Sequence, residues 1–251
     1  MSNILEGKVA VITGASRGLG KAMALALAGA GAKLALVARD KEKLEETARE
    51  AAALGAMAQV FIADVTDEAQ VSTLAELVVT QFGRVDILIN NAGTNIRKPL
   101  VEYSLEEWRK ITDTNLTSVF LMCRAMIPHM KGRGYGRILN LTSIMSHISL
   151  PGRTAYSASK AGLLGLTRAL AQELAPEAIT VVGISPGPFA TEMNTALLQN
   201  PEINQQFMSN TPLNRWGKVE EVGNLALFLC GEGGAYITGT DILIDGGWTS
   251  R

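Results

Sequence analysis

Seven short apolar runs recur along the chain, and helical patterns separate them. The runs are KVAVIT from Lys8, KLALVA from Lys33, QVFIAD from Gln59, VDILIN from Val85, RILNLTS from Arg137, ITVVGIS from Ile179 and DILID from Asp241. Most lack strict alternation of apolar and polar residues, which marks strands covered on both faces. Between them Leu, Ala and Met recur at spacings of three and four, as in KEKLEETAREAAAL from Lys41. Strands alternating with helices specify right-handed βαβ units around a parallel sheet, so the expected fold class is α/β.

No Pro/Ser-rich linker, charge block or fixed-period repeat divides the 251 residues, so one domain over 1–251 is the economical expectation. The exception is a stretch around 190–215, where Pro201 and Pro212 enclose polar residues; it reads as an excursion able to form a lid. Apolar residues make up 47% and charged residues 19%, enough for a large core and against disorder. A formal charge of −1 offers no field for nucleic acid or an acidic membrane. Cys123 and Cys230 lack metal-ligand spacing and read as buried thiols in a reducing compartment, with no metal expected. MSNILEGK lacks the flanks of a signal peptide, and residues 22–38 are too short and too interrupted to span a membrane, so a cytoplasmic location is expected.

The first run leads into VITGASRGLGKAM, where Gly14, Gly18 and Gly20 stand in one turn with Ser16, Arg17 and Leu19. Glycines permit a tight turn and close backbone approach, and the following helix presents free N–H groups to a pyrophosphate. The same turn can also simply close a strand onto a helix. The second run ends LVARD, with Ala38 where a ribose-binding carboxylate would stand and Arg39 after it. Arg17 and Arg39 together favour a 2′-phosphate, so NADP is preferred, with NAD possible and Asp40 counting slightly against. Alternatively both arginines are solvated surface groups.

Further motifs follow in order: NNAG at 90–93, Asn115, TS at 142–143, YSASK at 156–160, PG at 186–187 and DGG at 245–247. With TGASRGLG at 13–20, they make the chain resemble the short-chain dehydrogenase/reductase family from about Gly7 to Gly247. The resemblance implies a single Rossmann-type, doubly wound domain of about seven parallel strands with helices on both faces, usually a homotetramer. It implies that Asp64 and Val65 flank the adenine and that Asn91, Ala92 and Gly93 pass beneath the nicotinamide ribose. Pro186 and Gly187 lead into Phe189 and Thr191, which would hold the carboxamide. Asn115, Ser143, Tyr156 and Lys160 match the family's catalytic four. Val182 departs from the family, where asparagine is usual, at a position behind the site.

Tyr156 and Lys160 are one helical turn apart and share a face. A cation about 5 Å from a phenol is worth about 3 kcal/mol at an effective dielectric of about 20, or roughly two pKa units. Lys160 is therefore expected to acidify Tyr156, the proton donor in carbonyl reduction and the base in alcohol oxidation. Lys160 would also bind ribose hydroxyls, Ser143 would hold the substrate carbonyl, and Asn115 would bind a relay water. Taken singly, Ser143 reads equally well as a strand end, Asn115 as a helix residue and Lys160 as a solvated charge. His147 beside Ser143 invites a hydrolase reading, but no G-x-S-x-G elbow surrounds that serine.

The stretch from Ala190 to Gly217, with TEMNTAL and the TP and RWG pieces, is similar to the corresponding loop of the gluconate 5-dehydrogenase group, as are NIRKPL at 95–100 and SIMS at 143–146. That implies a sugar acid or polyol, for which Arg97, Ser143, Met145, His147, Arg153 and Asn194 are candidate contacts, although the charged and polar ones could equally face solvent. The alternative enzyme is a 3-oxoacyl-(acyl-carrier-protein) reductase, against which Gly134 and Glu177 stand where basic docking residues are usual. A non-catalytic NADP sensor is the alternative from another class, although it would not need the phenol and ammonium pair.

Overall fold

Each of the seven apolar runs forms a strand. A computed structural model describes residues 3–250, the side chains of Met193 and Ala196 excepted. In its first half β1 (Val9–Thr13), β2 (Lys33–Ala38), β3 (Ala58–Ile62) and β4 (Ile87–Asn90) alternate with α1 (Gly18–Ala28), α2 (Lys41–Ala53) and α3 (Glu68–Phe82). Then follow α4 (Leu105–Thr112), α5 (Ser118–Met126), β5 (Gly136–Leu141), α6 (Thr154–Leu174) and β6 (Ile179–Pro186). The chain ends with α7 (Thr195–Gln199), α8 (Pro201–Asn210), α9 (Val219–Cys230) and β7 (Asp241–Ile244).

The strands make one parallel sheet in the order β3-β2-β1-β4-β5-β6-β7. It is a Rossmann-type sheet with helices on both faces. Central strands β1, β4 and β5 are buried at every position, whereas the edge strands β3 and β7 are only partly covered. That difference explains why the central runs lack alternation. One core joins the sheet to α1, α2 and α9, and the other joins it to α3, α5 and α6. On the first face α1 and α9 approach so closely that a Cβ at Gly223 would stand 2.8 Å from the Ala22 carbonyl oxygen. Among the described residues, no helix is long and apolar enough to cross a membrane.

Strand order reverses between β1 and β4, and their carboxyl ends diverge into a crevice, the place where open α/β sheets bind ligands. Asp40, which counted slightly against NADP, caps α2 by accepting the Lys43 backbone N–H at 3.2 Å. The excursion around 190–215 contains α7 and α8, so its polar residues belong largely to helices. Cys123 and Cys230 are free and buried, and burial pushes both thiols up to about 12.

Candidate active site

The crevice begins with a backbone knot. Thr13, the last residue of β1, takes the N–H groups of Asn91 and Ala92 onto its hydroxyl at 3.0 and 3.1 Å. Asn91 returns two bonds, to the carbonyl oxygens of Thr13 at 2.9 Å and Gly14 at 3.1 Å. This cross-tie clamps the turn after β1 to the end of β4. A Cβ at Gly20 would lie 2.3 Å from the Gly14 oxygen and 2.4 Å from Asn91 Nδ2, so no other residue fits. Gly14 and Gly18 have φ of +64° and +55°, and no side chain caps the start of α1. The turn thus leaves helix N–H groups facing the crevice, and these residues fit a dinucleotide pyrophosphate.

Around this turn, Ser16 and Leu19 stay partly accessible, and Val65 is buried. Across the crevice, Thr191 Cγ2 would stand 3.7 Å from a Cβ on Gly18. Phe189 is buried and bridges to Gly217, while Gly187 packs on Asp245. Both arginines are exposed and paired: Arg17 with Glu192 at 3.2 Å, and Arg39 with Asp64 at 3.1 Å. Glu192 also takes Lys43 at 3.1 Å.

Asn115, Ser143, Tyr156 and Lys160 converge at the carboxyl ends of β4 and β5. Asn115 is fully buried in a π-helical turn, Asp113–Thr117, between α4 and α5. Such a turn widens the helix and re-aims one side chain. Asn115 Nδ2 donates to the Thr94 carbonyl and to Ser159 Oγ, both at 3.0 Å, and its Oδ1 accepts the Thr94 N–H at 2.8 Å. Lys160 is 5% exposed and donates to the Leu141 carbonyl at 2.5 Å. Gly93 leaves room beside both: a Cβ there would stand 3.4 Å from Asn115 Oδ1 and 3.7 Å from Lys160 Nζ.

The expected electrostatics of the phenol need correction. Burial raises the Tyr156 pKa, and the Ser143 hydroxyl, Arg153 and Arg97 offset that only in part. Lys160 is not among the groups that lower it. Its ammonium lies 5.9 Å from the ring centroid and is committed to the Leu141 carbonyl. Burial pushes Lys160 itself down to about 8. Sharing a helix face was legible in the spacing, but the strand-end carbonyl that claims the ammonium was not.

Arg153 and Arg97 thus emerge as the cations facing the phenol. Burial lowers Arg153 to about 10, with repulsion from Arg97 adding to it. Burial also lowers Arg97, which donates to Asn194 Oδ1 at 3.3 Å. Neither arginine is paired with Asp or Glu among the described residues. Met145 joins Ile144 and Trp248 in an apolar wall against which Tyr156 and Phe207 pack. His147 is not brought to the phenol; its Nε2 lies 2.7 Å from Asp241 Oδ2 at the β7 edge.

Several contributors escaped the sequence reading. Trp248 and Phe207 build the wall, and the Asn95 Oδ1 atom is buried without a hydrogen-bond partner just beyond NNAG. Thr13 and Ser159 hold Asn91 and Asn115. Proximity of Asn95 to the NNAG motif was the one available signal; the aromatic residues are too distant in sequence to have given any.

Residues 14–249 match a family model described as enoyl-(acyl carrier protein) reductase. The chain is 37% identical to gluconate 5-dehydrogenase of Gluconobacter oxydans, over 98% of this chain and 96% of that one. It is 39% identical to 3-oxoacyl-(acyl-carrier-protein) reductase of Thermotoga maritima, over 97% and 98%. It also superposes on the crystal structure of a gluconate 5-dehydrogenase from Burkholderia cenocepacia in complex with NADP and tartrate. There the TM-score is 0.94 with 35% identity, covering 98% of this chain and 97% of that one.

Proposed function

Since this chain belongs to the short-chain dehydrogenase/reductase family, we propose that it interconverts a ketone and a secondary alcohol on a sugar acid or polyol, with NADP as cofactor. The chain is an oxidoreductase of CH–OH groups in a family that uses NAD(P). The substrate class rests on one observation, the two arginines beside Tyr156 that no carboxylate among the described residues neutralises. Arg153 is half-buried and Arg97 stands at the open side of the site, so both are partly desolvated, and a substrate carboxylate would supply the counter-charge.

When bound, the dinucleotide would be the source of the hydride that reduces the carbonyl. Gly14, Ser16, Gly18, Leu19 and Gly20 would receive its pyrophosphate, and Asp64 with Val65 its adenine. Asn91, Ala92, Gly93 and Lys160 would line the ribose, and Pro186, Gly187, Phe189 and Thr191 the nicotinamide. Arg17 and Arg39 would grip the 2′-phosphate. Their present partners are exposed ion pairs worth about 0–1 kcal/mol, which a phosphate displaces at little cost.

The catalytic role falls to Tyr156. A phenol held above its ordinary pKa is protonated near neutrality, as a donor to a developing alkoxide must be. The Tyr156 phenol would give its proton to the substrate oxygen as the carbonyl is reduced. Ser143, Arg153 and Arg97 stabilise the phenolate left behind. Ser143 orients the carbonyl, and Asn115 with Lys160 would carry the replacement proton. Segment 190–215 would act as the lid, tied by Asn194 to Arg97 and packed through Phe207 on Trp216 and Trp248. A homotetramer, which rests on the family resemblance, and a cytoplasmic location belong to the same reading.

A substrate panel with NADPH and NADH side by side tests this. The expected result is reduction of 5-ketogluconate with kcat/KM at least about tenfold above that for an acetoacetyl thioester, and preference for NADPH. The reverse order would transfer the assignment to a 3-oxoacyl-(acyl-carrier-protein) reductase, which a 39% identical relative supports. Tight NADPH binding without turnover of any ketone would point to a sensor.

A further inference from the structure

Behind Ser143 lies a polar cluster that the chemistry above does not use. Asp241, the first residue of β7, turns its carboxylate inward, its side chain only 8% exposed. Gly183 on β6 makes the space: a Cβ there would stand 2.0 Å from Asp241 Oδ1. Thr142 Oγ1 lies 2.6 Å from Oδ1, Ser185 Oγ lies 2.5 Å from Oδ2, and His147 Nε2 lies 2.7 Å from the same Oδ2. Ser185 Oγ is also 2.9 Å from the Ser143 carbonyl oxygen, and Thr142 Oγ1 is 2.7 Å from the Ile184 carbonyl oxygen.

Counting hydrogens makes the arrangement asymmetric. An ionised carboxylate accepts only, and each hydroxyl has a single hydrogen to donate. Thr142 and Ser185 therefore cannot satisfy both carboxylate oxygens and both carbonyls. The Ile184 carbonyl already holds the Thr142 N–H at 2.9 Å, and His147 supplies from Nε2 the one hydrogen still missing. With that bond in place, Ser185 is released to donate to Ser143, whose carbonyl already holds the Ser146 N–H at 2.8 Å. Ser143 then sits in extended geometry, its hydroxyl accepting the Met145 N–H at 3.1 Å and touching the Tyr156 phenol.

We propose that His147 and Asp241 are positioning residues for the active site, acting through Ser185 to hold the backbone of Ser143. The proposal rests on the role given to Ser143 above, and it reassigns His147 from substrate contact to support. Without the histidine hydrogen, Ser185 turns its own onto the carboxylate, because an unpaired lone pair on a buried charge costs more than a second bond to a carbonyl.

The test compares His147→Phe, which keeps a ring without the donor, with His147→Gln, whose amide N–H can reach the carboxylate. The proposal expects His147→Phe to lower kcat about tenfold, with KM and NADPH affinity within about twofold of the parent. Gln should recover most of the loss. Unchanged kcat in His147→Phe, or equal loss in both variants, would overturn it. Crystal structures of the parent and His147→Phe supply a readout independent of turnover: with the hydrogen withdrawn, the 2.9 Å separation of Ser185 Oγ from the Ser143 carbonyl oxygen should open beyond hydrogen-bond range, and an unchanged separation would sink the proposal. Should the parent enzyme reduce no carbonyl at all, the assignment of reaction fails, while this second readout still decides the role of His147.

Discussion

The nucleotide side and the substrate side of the crevice are built on opposite principles. Toward β1 and β4, contacts run mainly through backbone: glycines without room for a Cβ, and Thr13 and Asn91 cross-bonding main chain to main chain. Toward α6 and the 190–215 excursion, side chains line the site: an apolar wall backs Tyr156, and Arg97 and Arg153 face the phenol with no acid paired to them among the described residues. The first side is a mould for a ligand common to many reactions. The second is an electrostatic imbalance that a particular substrate completes. The difference teaches that recognition by shape survives in short motifs, whereas recognition by charge depends on residues gathered from distant segments.

The comparison breaks most visibly at Tyr156. Tyr156→Phe should lower kcat by about 10²- to 10⁴-fold while NADPH affinity stays near the parent value, measured by steady-state kinetics and fluorescence titration. A parallel loss of cofactor binding would mean that the two sides are not separable. Next in size, Arg153→Ala or Arg97→Ala should raise KM for a sugar acid by about 10- to 100-fold and leave an uncharged ketone nearly unaffected. Equal effects on both substrates would deny the arginines their carboxylate.

On the nucleotide side, Arg39→Ala should cut the NADPH-over-NADH preference in kcat/KM by about tenfold. An unchanged ratio would show that the mould alone selects the cofactor. The smallest effect concerns stability. Lys160 titrates at about 8 in the folded protein, against about 10.4 when unfolded. Between those values the unfolded chain binds more protons, so stability should rise with pH across that window. The buried ammonium exacts its full penalty below pH 8. Lys160→Met, inactive as a catalyst, should therefore be more stable than the parent by roughly 1–2 kcal/mol at pH 7 in urea titrations, with the gain fading by about pH 10. That figure allows for losing the bond to Leu141. A less stable variant would show that this bond outweighs desolvation.

Much of the fold was legible because strand burial is a local pattern. All seven apolar runs became strands, and KEKLEETAREAAAL became α2. The glycine turn was legible as well, since steric exclusion at Gly20 arises from a neighbour six residues away and from one motif on β4. Asn115, Ser143, Tyr156 and Lys160 were singled out by motif and do converge. Their electrostatics were not legible: spacing put Lys160 on the face of Tyr156, yet the Leu141 carbonyl and burial decided what its charge does. His147 was drawn toward the substrate by its closeness to Ser143, and only the placement of β7 revealed Asp241 as its partner.

The amino-acid sequence alone determined a parallel sheet with a glycine turn at its first crossover, because backbone sterics and apolar periodicity act over a few residues. Tertiary structure alone decided which charges face the phenol, which carbonyl holds the lysine and which carboxylate claims the histidine. Coulomb energies and desolvation depend on distance through space, and segments as remote as residues 97 and 153, or 147 and 241, meet only after folding.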